Sequence, residues 1–125
     1  MDIRLKTAPY TFDGMEMTLC CNMNVLADVQ EYFDGSFGRA LEKRRTLQAN
    51  IVFLTAMIND YLDSIGSTKR YEVREVGRKL PTLPAATREL SDIITCLVSS
   101  ALIQKERSED EDEEKNLNAT QNSGL

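Results

Sequence analysis

The sequence predicts an α+β fold, mostly helical: an N-terminal β-hairpin packed on about five helices, followed by a disordered acidic C-terminal tail. Three observations predict it. Residues 2–21 alternate apolar and polar side chains around Asp13-Gly14, a strong short-range hairpin signal. From Asn22 the apolar spacing changes to three and four, the helical period. From Gln104 onward the spacing stops and like charge takes over. The expected organisation is one α+β domain over residues 1–103 and a disordered tail over residues 104–125.

The hairpin fixes its own register. A two-residue type I′ loop at Asp13-Gly14 pairs Phe12 with Met15, Thr11 with Glu16, Tyr10 with Met17 and Ala8 with Leu19. Tyr10, Phe12, Met15, Met17 and Leu19 then share the face expected to be buried, and Thr11, Glu16 and Thr18 the other. Ile3 and Leu5 continue the alternation as a candidate third short strand. The parity slips at Thr7-Ala8-Pro9, which predicts a bulge or strand break on an edge.

Asn22 fits an N-cap, with Met23, Leu26, Val29 and Phe33 at helical spacing behind it. Asp34-Gly35 ends that helix, and Ser36 caps a short second one carrying Phe37, Ala40 and Leu41. Arg39, Lys43, Arg44 and Arg45 follow as a basic connector. The long helix spans residues 45–66, with a stripe of Leu47, Ile51, Leu54, Ile58, Tyr61 or Leu62, and Ile65. Gly66 supplies the left-handed residue that stops it. Ala49, Phe53 and Met57 form a second stripe, and two readings of it are open. The helix is buried on more than one side, or Phe53 and Met57 face a partner, since a chain this short has little core to surround a helix.

Val73, Val76 and Leu80 predict a short helix that Pro81 stops. Pro84 opens the last helix, with Leu90, Ile93, Ile94, Leu97, Val98, Ala101 and Leu102 along it. Cys96 lies beside that stripe and is expected as a small packed side chain.

Composition narrows the function classes. The chain has 125 residues, 15 basic and 20 acidic side chains, and no histidine. The commonest general base and metal ligand are therefore missing. No Gly-rich phosphate loop and no Gly-x-Ser-x-Gly elbow occurs. Asp60 and Asp63 could in principle hold a hard cation, but two carboxylates near a helix end are read as a solvated face. An enzyme, a bound cofactor and a bound metal are not expected. Residues 1–103 carry thirteen acids and twelve bases, so nucleic-acid binding through Arg39, Lys43–Arg45, Lys69, Arg70, Arg74, Arg78 and Lys79 is not expected either. Three cysteines fit a reducing compartment. MDIRLKTAPY has no apolar signal core, and no run is long enough for a membrane span.

Two runs resemble a known family. FDGMEMTLCCNMNVLADVQEYFDGSFGRAL, residues 12–41, resembles the N-terminal half of tail assembly chaperones from long-tailed phages and prophages of Gram-positive bacteria. LTAMINDYLDSIGSTKRYEVREVGRKL, residues 54–80, resembles the family's second block, with Tyr71-Glu72-Val73-Arg74-Glu75-Val76-Gly77 the most distinctive run. The resemblance implies a non-virion protein of the host bacterial cytoplasm. It implies a protein that keeps the tape measure protein soluble and helps recruit tail tube subunits, a holding task for which several copies, and so a homo-oligomer, are expected. It carries over no catalytic residues, and it leaves Phe53 and Met57 as the candidate partner-binding pair. The alternative reading is a small structural tail or head-tail connector protein of the virion.

Overall fold

The computed structural model describes residues 5–43 and 46–102, the side chain of Phe37 excepted. Strand β1 (Thr7–Phe12) pairs antiparallel with β2 (Met15–Cys20) in a two-stranded sheet. Phe12 faces Met15 and Tyr10 faces Met17, the expected register. Asp13 and Gly14 both take positive φ, 52° and 77°, as a type I′ turn requires.

Two details of the hairpin differ from expectation. There is no bulge or break at Pro9, because the ladder runs on through Pro9↔Thr18 and Ala8↔Leu19. Counting from the hydrogen-bonded Phe12↔Met15 pair, Pro9 falls at a non-hydrogen-bonded position. Its nitrogen therefore faces away from β2, where no ladder donor is needed. Met15 is 40% exposed rather than buried, whereas Phe12, Met17 and Leu19 are buried. Of the candidate third strand, Leu5 lies before β1 outside any strand, and Ile3 lies outside the described residues.

Helix α1 (Met23–Tyr32) starts at Asn22, whose side chain accepts from the Val25 amide. Its buried face is Val25 and Val29, continued by Phe33; Met23, expected on that face, is exposed. Helix α2 (Phe37–Glu42) is capped by Ser36 and buries Ala40. Arg44 and Arg45 of the basic connector lie outside the described residues.

Helix α3 (Leu47–Ser64) is the centre of the fold. Thr46, which the sequence reading did not single out, caps it by accepting from the Ala49 amide. Gly66, at φ 76°, donates to the Asp63 carbonyl, and Ser67 donates to the Leu62 carbonyl. That pair of bonds is a Schellman ending. Between the two ends, Val52 through Asn59 are buried without a break. A helix buried all round must be wrapped by other elements. Buried residues of the hairpin, α1, α2, Tyr71, α4 and the last helix join those of α3 in one hydrophobic cluster. Leu47 and Ile65, at the extremities of the predicted stripe, are more than half exposed.

Helix α4 (Val73–Lys79) opens with a capping box between Glu72 and Glu75. Val76 is its buried residue. Leu80 then turns extended ahead of Pro81. Helix α5 covers residues 84–102 as described and buries Leu90, Ile94, Leu97 and Val98. Cys96 points away from that face and is exposed, not packed. The acidic tail, residues 104–125, lies outside the described residues.

Candidate functional site

The proposed partner-binding pair does not form a surface. Phe53 and Met57 are 0% and 1% exposed. They are core residues of α3, because the helix is enclosed on both stripes. The interface reading of these two side chains is therefore corrected.

A concave surface exists elsewhere. The hairpin, α3, the Leu80–Thr82 turn and α5 enclose a groove of about 870 Å³. Each element contributes what its sequence dictates. The hairpin meets it with residues of both faces, Tyr10 and Met17 from the apolar one and Thr11, Glu16 and Thr18 from the polar one. Leu47 and Ile51, one turn apart, bring the first stripe of α3. Gly77 of α4 lies beside Ile51; a Cβ there would stand 3.7 Å from the Ile51 Cδ1. Leu90 and Ile93 bring the inner face of α5. The apolar part of the floor is half-buried at Tyr10, Ile51 and Ile93 and buried at Met17 and Leu90, with Leu47 standing 58% exposed at the lip.

Among the described residues two carboxylates, Glu16 and Glu89, line the groove, and no lysine or arginine does. Both are exposed. Burial raises the Tyr10 phenol above its ordinary pKa, and the charge of Glu89 raises it further.

No family model, curated protein or solved structure matches this chain.

The other polar assemblies hold elements together. Asn22 caps α1 through its oxygen and donates through Nδ2 to Asp60 at 2.6 Å, tying α1 to α3. Asn24 donates to the second Asp60 oxygen at 3.4 Å. Asp63 pairs instead with Arg70 at 3.4 Å, both more than half exposed. The two carboxylates weighed as a cation site are thus engaged separately. Among the described residues no group of three or more His, Cys, Asp or Glu side chains converges. Of the basic residues, Lys69 and Lys79 approach Asp13 at 3.7 and 3.4 Å, and Arg39 pairs with Asp34 at 3.6 Å. Burial pushes the Cys21 thiol up to about 12, so it stays protonated and inert at neutral pH.

The most consequential side chain that the sequence reading passed over is Asn59. Its Nδ2 donates to the Tyr71 carbonyl at 2.9 Å, and its Oδ1 accepts from the Tyr71 amide at 2.8 Å. One buried amide thus satisfies both backbone groups of Tyr71 where the connector crosses α3. Tyr71 in turn meets Phe12 edge-on at 5.3 Å and donates its hydroxyl to Asp13 at 2.8 Å. The hairpin turn is latched to α3 through this chain of contacts.

Proposed function

We propose that this chain is a tail assembly chaperone, a non-catalytic protein that holds a tape measure protein soluble and helps recruit tail tube subunits. The resemblance of residues 12–41 and 54–80 supports the reading. The observation that carries it is the open groove. A holding protein needs an apolar surface of its own left uncovered in the folded state. The half-buried Ile51 and Ile93 provide one over the buried Met17 and Leu90, with Leu47 exposed at its edge. In this reading the protein acts as a homo-oligomer in the host bacterial cytoplasm, without cofactor, metal, nucleic acid or membrane, and is left out of the mature virion.

Co-expression with the neighbouring tape measure gene, followed by pull-down, tests it. The expected result is a tape measure protein that stays soluble and co-purifies only when this chain is present. A tape measure protein that precipitates regardless would overturn the reading. Recovery of this chain in fixed ratio from purified particles would favour a structural tail or connector protein instead.

A further inference from the structure

We infer that the groove between the hairpin, α3 and α5 binds an amphipathic helix whose apolar stripe is flanked by lysine or arginine. The inference deepens the proposed function, and rests on it only for the source of the helix, which would be the tape measure protein.

The argument begins with the shape and lining. The apolar part of the floor is made of separate side chains from several elements: Tyr10, Met17, Ile51, Leu90 and Ile93. An extended peptide would add to a sheet edge by backbone pairing. Here the apolar contribution comes from side chains of two helices and a sheet face, a lining suited to a helix that presents anchors at i, i+3, i+4 and i+7. At about 870 Å³ the groove has room for several such anchors.

Charge selects among helices. Glu16 comes from β2 and Glu89 from α5, so the carboxylates are contributed by different elements, and among the described residues no lysine or arginine lines the groove beside them. A helix with basic flanks would bring complementary charge to both, and one with acidic flanks would meet repulsion. The same test sets aside residues 104–125 as occupant, because they hold seven acids and three bases and share the sign of the groove. A second copy fits poorly too. Helix α4 carries Arg74, Arg78 and Lys79, but of its two apolar side chains Val76 is fully buried and Val73 half-buried against the core, leaving no comparable stripe to insert.

The experiment uses the full chain and two synthetic helical 18-residue peptides with the same leucine stripe, one flanked by lysine and one by glutamate. Affinity is followed by fluorescence anisotropy, and the binding site by amide chemical shifts. The lysine peptide should bind about tenfold more tightly than the glutamate peptide at low salt, and the gap should shrink as salt rises. Shifts should fall on residues around Tyr10, Ile51 and Ile93. Glu16→Lys with Glu89→Lys should reverse the preference. Leu47→Ser, at an exposed lip position, should weaken both peptides while leaving the fold intact.

Any of five outcomes would overturn the inference. The peptides bind equally; the double reversal leaves the preference unchanged; the shifts map elsewhere; or a peptide of residues 104–125 displaces the lysine peptide. If the groove variants change the sedimentation of the chain alone, a second copy is the occupant and the inference also fails. Failure of the tape measure pull-down with the peptide results intact would reject the source of the helix and keep the groove.

Discussion

Replacing Asn59 tests whether the centre of the fold is held by one amide. Asn59 and Tyr71 are each 7% exposed, and the two bonds between them are 2.9 and 2.8 Å. Asn59→Ala removes both partners and leaves a buried N–H and a buried C=O unsatisfied. Each orphan costs roughly 1–3 kcal/mol, so the expected loss is about 2–6 kcal/mol. Small domains have about 5–15 kcal/mol in total, so this is a large share. Asn59→Asp separates the two bonds. The new carboxylate can still accept from the Tyr71 amide, but it faces the Tyr71 carbonyl with no proton to donate. Burial and that carbonyl raise the carboxyl's folded-state pKa above its unfolded value. A raised pKa gives stability that is present at low pH and lost as pH rises through the folded-state value. Asn59→Asp should therefore be closest to the parent in mild acid and weakest at neutral pH, with Asn59→Ala showing no such recovery. Urea denaturation between pH 4 and 8, read by circular dichroism, measures both. Parent-like stability of Asn59→Ala, or no difference in pH dependence between the variants, would refute the reasoning.

Three further outcomes are expected. Changing both Phe53 and Met57 to Ser should unfold the chain or destabilise it by several kcal/mol, since Phe→Ala alone in a core costs about 3–5 kcal/mol. Sedimentation that shows a folded but less associated double variant would restore the interface reading. Asp13 has its carboxyl held below its ordinary value of 3.8, first by the Tyr71 hydroxyl and then by Lys79 and Lys69. The contribution is complete above that value and lost as pH falls through the lowered one, so Asp13→Asn, which tolerates the positive φ, should flatten the acid limb of a stability–pH curve. A thiol reagent should label Cys96 in the native protein and Cys21 only after unfolding; equal rates at the two would show that Cys21 is accessible.

Local chemistry was legible in the sequence wherever a few neighbouring residues decide it. Asp13-Gly14 sets the hairpin register, Asn22 and Ser36 open helices by their own side chains, and Gly66 ends one. Periodicity located α3 but misjudged its surroundings. A stripe argument cannot count the wet sides of a helix, so Phe53 and Met57 could be read either as buried or as spare surface, whereas Val52 through Asn59 are enclosed all round. The same argument overrated Leu47, Ile65, Met23 and Met15, which keep the spacing but stand near the ends of their elements, where neighbours run out. Asn59 had no local signature, because an amide between Ile58 and Asp60 looks the same whether it meets water or the backbone of Tyr71. The groove was equally hidden, since it exists only where residues far apart in sequence meet: Tyr10, Ile51 and Leu90.

The Pro9 position has a consequence for crowded solution. A sheet of two strands has two open edges, and open edges recruit strands from other molecules into fibrous stacks. Pro9 stands in the middle of β1 with its nitrogen turned outward, so the incoming strand finds no proton at the centre of that edge. On β2, Glu16 adds an exposed charge that a stacked copy of the same strand would have to meet with its own. Both edges of the hairpin therefore resist growth, and the molecule can leave an apolar groove open without offering a template for its own aggregation.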